Sequence, residues 1–258
     1  MENDMILIAS CVSYIGAGRA NNEDNFYFNK KRLAEKNNGM TAPISQQTGL
    51  KNPVGFAVFD GIGGASYGEK ASYLAAEIFA ENMDRLNDLI IPEREFLVEI
   101  CNQANEKIVS LAHNKQISQT GTTLVSFLFS ENGVFTCNVG DSKAFLIRKN
   151  KIMQVSKDHT DKDFLDSIGI NKKPSLLQYI GISDKEGELD PFISKGQVMK
   201  GDVFILCSDG VTDVISANDL YNTIKENSDV SSGVNAILDM IKQRCGQDNA
   251  TIIVIKVS

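Results

Sequence analysis

The chain has 258 residues, enough for one domain with a full core, and its 42% hydrophobic and 23% charged content is that of an ordinary globular protein. With 26 Lys+Arg against 33 Asp+Glu its formal net charge is −7, which argues against nucleic acid or an anionic membrane surface as the partner, since both reward basic patches. No apolar stretch is long enough to cross a bilayer, and the short apolar run within the acidic opening MENDMILIAS does not fit a signal peptide. The five cysteines (Cys11, Cys101, Cys137, Cys207, Cys245) are scattered, odd in number and without CxxC spacing. Neither a zinc site nor a disulfide framework is expected from them, and a reducing cytoplasm is.

Residues 5–16 read as a first strand or strand pair. A polar turn through Arg19 and Asn21-Asn22-Glu23-Asp24 leads to a second strand at 25–29. Residues 30–53 are polar, with Asn-Asn-Gly and Thr-Gly, and predict a long hairpin or solvated surface loop. The continuous apolar run 55–59 predicts a strand buried on both faces. Residues 67–87 place Ala71, Leu74, Ala75, Ile78 and Phe79 at helical spacing. Pro92 then sits where a first helical turn accepts it, ahead of a second helix over 93–113.

After Gly121 the period changes to strands at 122–129, 134–139, 143–148 and 152–155, joined by turn-like Asn132-Gly133, Gly140-Asp141 and Lys149-Asn150. Residues 160–195 are weakly periodic and receive no assignment. A buried strand follows at 203–207, then a helix opened by a capping box of Ser216 and Asp219, a helix from Ser231 or Ser232 to Arg244, and a last strand at 251–257. Strands do not alternate regularly with helices, so two packed sheets with helix pairs outside them fit better than a doubly wound parallel sheet. With no internal repeat or low-complexity linker, residues 1–258 read as a single domain.

Four aspartates fall at the ends of apolar, strand-like runs: Asp60 ends GFAVFD, Asp141 follows FTCNVG, Asp209 follows DVFILCS, and Asp248 opens DNATIIVIKV. Any one of them alone is an ordinary turn residue or cap. Gathered at one sheet rim, however, unpaired carboxylates repel, and low dielectric strengthens the repulsion. A divalent cation relieves it. The glycines after Asp60 let backbone approach an ion and free the Gly61 carbonyl as a ligand. If the strands ending near Asp209 and starting near Asp248 pair antiparallel, both carboxylates share a rim. Asp213, four residues on, faces the same way as Asp209 if a helical turn begins there. Oxygen-only ligands suit Mg²⁺ or Mn²⁺ rather than zinc.

An ordered set of motifs completes the picture: R-A-N-N-E-D-N-F from Arg19, F-A-V-F-D-G-I-G-G from Phe56, T-G-T-T-L from Thr120, N-V-G-D-S-K-A from Asn138, K-D-H-T from Lys157, G-D-V-F-I-L-C-S-D-G-V-T-D from Gly201, and D-N-A-T-I-I-V-I from Asp248. With these the chain resembles the metal-dependent, type 2C serine/threonine protein phosphatases, and its compact length resembles the bacterial members. The resemblance implies an α+β fold, a four-layer α-β-β-α sandwich of two antiparallel sheets flanked by helix pairs. It also implies hydrolysis of phosphoserine or phosphothreonine by water activated at a dinuclear Mn²⁺/Mg²⁺ centre. By motif match, Asp60 bridges the metals, with the Gly61 carbonyl on one and Asp209 and Asp248 on the other. Glu23 and Asp24 hold waters in the outer shell, Asp141, Asp209 and Asp213 form an optional third-metal site, and Arg19 grips the substrate phosphate. The implied partners are phosphorylated proteins, targets of a Ser/Thr kinase; the expected state is a monomer without nucleic acid or membrane.

Ile62 stands where some members of that family carry a histidine, and the following Gly63-Gly64-Ala65-Ser66 supplies none. Of the two histidines, His113 falls late in a helix and suits its C-terminal dipole, and His159 reads as structural. The mixed charges of 30–36 read as a solvated face. Two other functions compete with the phosphoprotein phosphatase: a catalytically silent phosphoprotein-binding or sensor module, and a hydrolase of small phosphate esters.

Overall fold

In chain order the elements are β1 (Ile6–Tyr14), β2 (Asp24–Phe28), β3 (Ile44–Gly49), β4 (Val54–Ile62), α1 (Gly68–Arg85), α2 (Glu93–Lys115), β5 (Gly121–Thr122), β6 (Leu124–Ser130), β7 (Gly133–Val139), β8 (Lys143–Arg148) and β9 (Lys151–Gln154). There follow α3 (Lys162–Ser167), β10 (Phe192–Gly196), β11 (Val203–Cys207), α4 (Asp209–Thr212), α5 (Ala217–Glu226), α6 (Val230–Gln243) and β12 (Ala250–Val257). The computed structural model describes residues 5–62, 67–86 and 91–258. The Gly63–Ser66 stretch and Asn87, the expected end of the first helix, lie outside the described residues.

The strands form two antiparallel sheets, one ordered β3-β1-β12-β11-β8-β9 and the other β10-β7-β6-β4-β2, with β5 paired to β4. Strand β4 explains its own unbroken apolar run. Successive side chains alternate sides: Phe56 and Val58 enter the core between the sheets, and Ala57 and Phe59 lie beneath α1 and α2. Strand β12 repeats the pattern, sending Ile253 and Ile255 between the sheets and Ile252 and Val254 beneath α5 and α6. Three stacked apolar layers thus hold the four-layer α-β-β-α sandwich together, and the expected fold class is the observed one. Across the middle layer, Phe204 of β11 meets Phe127 and Phe129 of β6, each ring pair edge-on at 5.1 Å between centroids.

Local chemistry starts the helices where the sequence places them. Ser216 Oγ accepts from the Asp219 amide at 3.1 Å while Asp219 Oδ2 accepts from the Ser216 amide at 3.3 Å, the expected reciprocal cap of α5. Helix α6 opens slightly earlier than predicted, because Asp229 caps it by accepting from the Ser232 amide at 2.9 Å. Pro92 takes the N-cap position of α2 rather than its first turn.

Two segments depart from expectation, and a third, unassigned from sequence, gains elements. The 30–53 loop contains β3, an edge strand on β1; its sequence, Ile-Ser-Gln-Gln-Thr-Gly, is polar because one face meets solvent. The 30–36 charges are mostly exposed, as a solvated face should be, and three of them pair along α1: Lys30 with Asp84, Arg32 with Glu77 and Glu35 with Lys70. The expected strand 122–129 is divided at Thr123, whose amide and hydroxyl both turn to Asp60. The unassigned 160–195 stretch contains α3 and most of the edge strand β10, which ends at Gly196. Among the described residues no helix is long and apolar enough to cross a membrane, and all five cysteines are free thiols.

Candidate metal centre

Antiparallel pairing brings the acidic residues to one rim. Strands β2 and β4 set Asp24 directly opposite Asp60. Strands β11 and β12 pair Cys207 with Ile252, so Asp209, just beyond β11, and Asp248, just before β12, project at the same end. The two sheets meet there through Asp24, whose Oδ2 accepts from Ser208 Oγ at 2.8 Å and from Thr251 Oγ1 at 2.7 Å. Asp209 opens α4, and the Asp213 amide donates to the Asp209 carbonyl at 2.7 Å, the helical turn that the spacing anticipated.

Asp60 is held by its backbone. Its amide donates to Thr123 Oγ1 at 3.1 Å, and its carbonyl accepts from the Thr123 amide at 2.8 Å and from Thr122 Oγ1 at 2.9 Å. Thr123 Oγ1 also shares a 2.7 Å hydrogen bond with Ser142 Oγ, which couples the Asp141 turn to Asp60. Burial first, and then the charges of Asp24, Asp209 and Asp141, push the Asp60 carboxyl well above the usual carboxylate range. Those three neighbours are the rim residues of three other segments.

Asp24 is wholly buried, and its carboxyl is pushed up to about 7 by desolvation, against the pull of its two hydroxyl donors. Both donors serve Oδ2. Oδ1 is buried and has no hydrogen-bond partner among the described residues. A buried acceptor without a partner costs roughly 1–3 kcal/mol, and an ion or its bound water would relieve it. The start of α1 packs closely on two oxygens beside it: a side chain at Gly68 would meet Glu23 Oε2 at 2.9 Å and the Gly61 carbonyl at 3.1 Å, so only glycine lets both stand there. An all-oxygen donor set, mutually repelling carboxylates and an orphaned buried oxygen fit a hard divalent cation.

The remaining predicted residues are held elsewhere on the rim. Glu23 is half-buried, its carboxyl raised by burial, then by Glu69 and Asp248. Arg19 Nη2 lies 2.7 Å from Asp248 Oδ1, and Arg19 Nε donates to the Gln247 carbonyl at 3.3 Å. These two residues, with Gly18, Asp213 and Cys245, line a pocket of about 510 Å³. Asp141 sits in the β7–β8 turn with its carboxyl raised to about 6, by burial and then by Asp209. Asp209 and Asp213 both turn to one cation, Lys173, at 3.0 and 3.4 Å. Among the described residues no three acidic, histidine or cysteine side chains close into a cage. The rim is brought together, while Asp248 and Asp209 are each engaged by a basic side chain.

Sequence reasoning gave no role to Asn249, although it sits inside a quoted motif. Its Oδ1 accepts from the Glu23 amide at 2.8 Å, and its Nδ2 donates to the carbonyls of Ile15 at 2.6 Å and Asn21 at 3.1 Å. One buried amide therefore fixes the loop that carries Arg19 and Glu23 against the segment that carries Asp248. The left-handed Gly16 (φ 88°) permits the close approach, since a Cβ there would lie 2.4 Å from the Asp248 carbonyl oxygen. His159 is structural: its Nδ1 accepts from the Gly140 amide at 3.3 Å and its own amide donates to the Gly140 carbonyl at 3.0 Å, clamping the Asp141 turn.

The raised carboxyls set a pH dependence. Folded, Asp24 and Asp141 hold protons up to about pH 7 and about pH 6, whereas the unfolded chain releases them near 4. The folded state binds more protons in that window, so the stability from these groups is full below about pH 4 and is lost as pH rises through about 7. Asp219, held low by Arg244 and then by its Ser216 cap, and Asp229, held low by its Ser232 cap, stay ionised at pH 5.5 and do not offset it; His159, held low by burial, opposes it. Chelator-treated protein should be more stable at pH 5.5 than at pH 8 by on the order of 2 kcal/mol, about 4–8 °C in Tm. The difference should shrink in Asp24→Asn. A Tm that rises with pH in both proteins would contradict it.

Comparison with known proteins places this geometry. The family model for protein phosphatase 2C matches residues 45–248, which include Asp60, Asp141, Asp209, Asp213 and Asp248. The serine/threonine phosphatase Stp of Listeria welshimeri is 26% identical over 211 residues, covering 77% of this chain and 82% of that protein. The protein phosphatase PhpP of Streptococcus pneumoniae is 24% identical, covering 96% of this chain and 97% of that one. Among solved structures, the catalytic domain of the serine/threonine protein phosphatase PstP, in complex with two manganese ions, superposes with a TM-score of 0.78 at 23% identity, covering 98% of this chain and 99% of that one. That likeness is one of fold. The family match, which takes in most of both sheets and five of the acidic positions, carries the assignment: the chain is a phosphatase of the protein phosphatase 2C family.

Proposed function

We propose that this protein removes phosphate from phosphoserine and phosphothreonine in protein substrates at a dinuclear Mn²⁺ or Mg²⁺ centre on the acidic rim. The observation that carries the reading is the convergence of Asp24, Asp60, Asp141 and Asp209, with the Asp24 Oδ1 buried and unpartnered among the described residues. Asp60, the Gly61 carbonyl, Asp209 and Asp248 would hold the ions, and Asp141 with Asp213 stands beside them at the optional third position. When bound, the ions supply Lewis acidity, lowering the proton affinity of a water and neutralising phosphoryl oxygens.

The chain's own groups do the rest. Glu23 and Asp24 offer acceptors that orient water protons, and Asn249 fixes the Glu23 backbone. Arg19 presents paired donors to a phosphate, a geometry that lysine lacks. Its present partner, Asp248, holds it over the pocket. No histidine stands at Ile62, so proton delivery to the leaving oxygen falls to solvent within the centre. The 160–177 segment, whose Lys173 reaches Asp213 of the pocket lining, exposes Phe164, Ile168, Ile170 and Leu177. Exposed apolar side chains on that segment suit a protein substrate better than a small ester. We further take residues 1–258 to be one catalytic domain, active as a monomer on targets of a Ser/Thr kinase. The free cysteines suit a reducing cytoplasm.

The test is phosphate release from phosphothreonine peptides and from p-nitrophenyl phosphate, with Mn²⁺, with chelator, and in Asp209→Ala. Release that needs Mn²⁺ and is lost in the variant is the expected result. No turnover by metal-loaded wild type would favour a binding module, and turnover of the small ester alone would favour the small-ester hydrolase. Arg19→Ala should raise KM by about tenfold and lower kcat less, because gripping the phosphate is largely ground-state binding. An unchanged KM in steady-state kinetics would count against that role.

A further inference from the structure

Lys173 is a rim residue that no motif anticipated. Its Nζ lies 3.0 Å from Asp209 Oδ2 and 3.4 Å from Asp213 Oδ2, so a single ammonium bridges the two carboxylates. Asp141, the third member of that group, lies within its electrostatic reach. The loop that presents it is built rather than loose. Its base is closed by the Thr160–Leu176 bridge, by the Ser175 amide donating to Asp161 Oδ1 at 2.7 Å, and by the Leu177 amide donating to the His159 carbonyl at 2.8 Å. His159 is clamped in turn to Gly140, next to Asp141. Pro174 follows Lys173 and restricts its backbone to extended conformations, which limits the entropy lost on docking.

We infer that Lys173 is the third cation of this centre: its ammonium neutralises Asp209 and Asp213 where a third divalent ion would otherwise bind, and it holds the 159–177 loop over the rim. The inference rests on the two-metal reading above and deepens it. Three ammonium donors satisfy two carboxylates in one position, and a divalent ion entering there must displace the lysine and release the loop. The chain therefore runs with two divalent ions and carries its own monovalent substitute for the third. Asp209 is shared between both roles, so Lys173 positions a ligand of the primary pair as well.

The test counts ions. Mn²⁺ is titrated into wild type, Lys173→Arg, Lys173→Met and the double variant Lys173→Met/Asp213→Asn, and bound ion is read by electron paramagnetic resonance. With a side chain 65% exposed, Lys173 can be replaced without loss of the core. Wild type and Lys173→Arg should bind two ions tightly and a further one only weakly. Lys173→Met should bind a further ion on the order of tenfold more tightly than wild type does, and the double variant should lose it. In Lys173→Met the loop should also become more open to proteolysis in chelator. Equal affinity for a further ion in wild type and Lys173→Met, or no further ion in either, would overturn the assignment. Wild type that binds no Mn²⁺ at all would sink the two-metal reading itself, and this assignment with it.

Discussion

Asp60→Asn should lower kcat/KM for a phosphothreonine peptide by about a thousandfold or more, roughly 4 kcal/mol of transition-state stabilisation, and should raise the Tm of metal-free protein. The two effects have one origin. Asp60 is buried among Asp24, Asp209 and Asp141, and that surrounding already disfavours its charge. A neutral amide of the same shape relieves repulsion when no ion is present, by about 1–2 kcal/mol. With ions bound, the same change removes an anionic ligand that no neighbour replaces. Kinetics in saturating Mn²⁺ and a thermal melt in chelator read the two effects separately. Unchanged kcat/KM would remove Asp60 from the centre. Lost activity with a lowered metal-free Tm would mean that the carboxylate is structural, held for its hydrogen bonds rather than for an ion.

Phe204→Ala should destabilise the fold by about 3–5 kcal/mol, or on the order of 10 °C in Tm. Phe204 is almost fully buried on β11 and contacts Phe127 and Phe129 of the opposite sheet, both edge-on. Truncation leaves a cavity between rigid sheets that cannot close over it, and both ring contacts are lost. Because β11 leads directly into Ser208 and Asp209, loosening it should also weaken Mn²⁺ uptake. Chemical denaturation measures the first effect, and a loss below about 1 kcal/mol would mean that the sheets repack around the gap.

The legibility of this chain follows its physics. Strand β11 is legible to the residue, and β4 and β12 to within a few, because strands buried on both faces are short, continuous, β-branched and aromatic apolar runs bounded by turn residues. The α5 start was legible because a capping box is local, needing only Ser216 and Asp219. Strand β3 was not legible, since a half-exposed edge strand of Ile-Ser-Gln-Gln-Thr-Gly looks like a loop until β1 is beside it. Strand β10 escaped notice for the same reason, as the edge partner of β7.

At the site the division is similar. Asp60, Asp209 and Asp248 announced themselves through position, each at the end of an apolar run, and the argument from repulsion to a divalent ion required only that they meet. Their meeting was decided by pairing register, which sets Asp24 against Asp60 and brings the ends of β11 and β12 to one rim. The groups that hold the rim in shape had no such signal. Ser208, Thr251, Thr123 and Asn249 are small polar residues whose roles appear only when their partners arrive from distant parts of the chain. Lys173 is the extreme case. It lies in a segment with no periodicity, 36 residues from Asp209, and its pairing depends on how a surface loop folds back.

By itself, then, the sequence determined which strands are buried, that acidic residues end them and that oxygen ligands alone are on offer, because hydrophobic period and residue chemistry are local properties. Tertiary structure decided which carboxylates face one another, which oxygen of Asp24 is left without a partner, and which cations, Arg19 and Lys173, stand over them. Those are distances between segments far apart in the chain, set by register and packing.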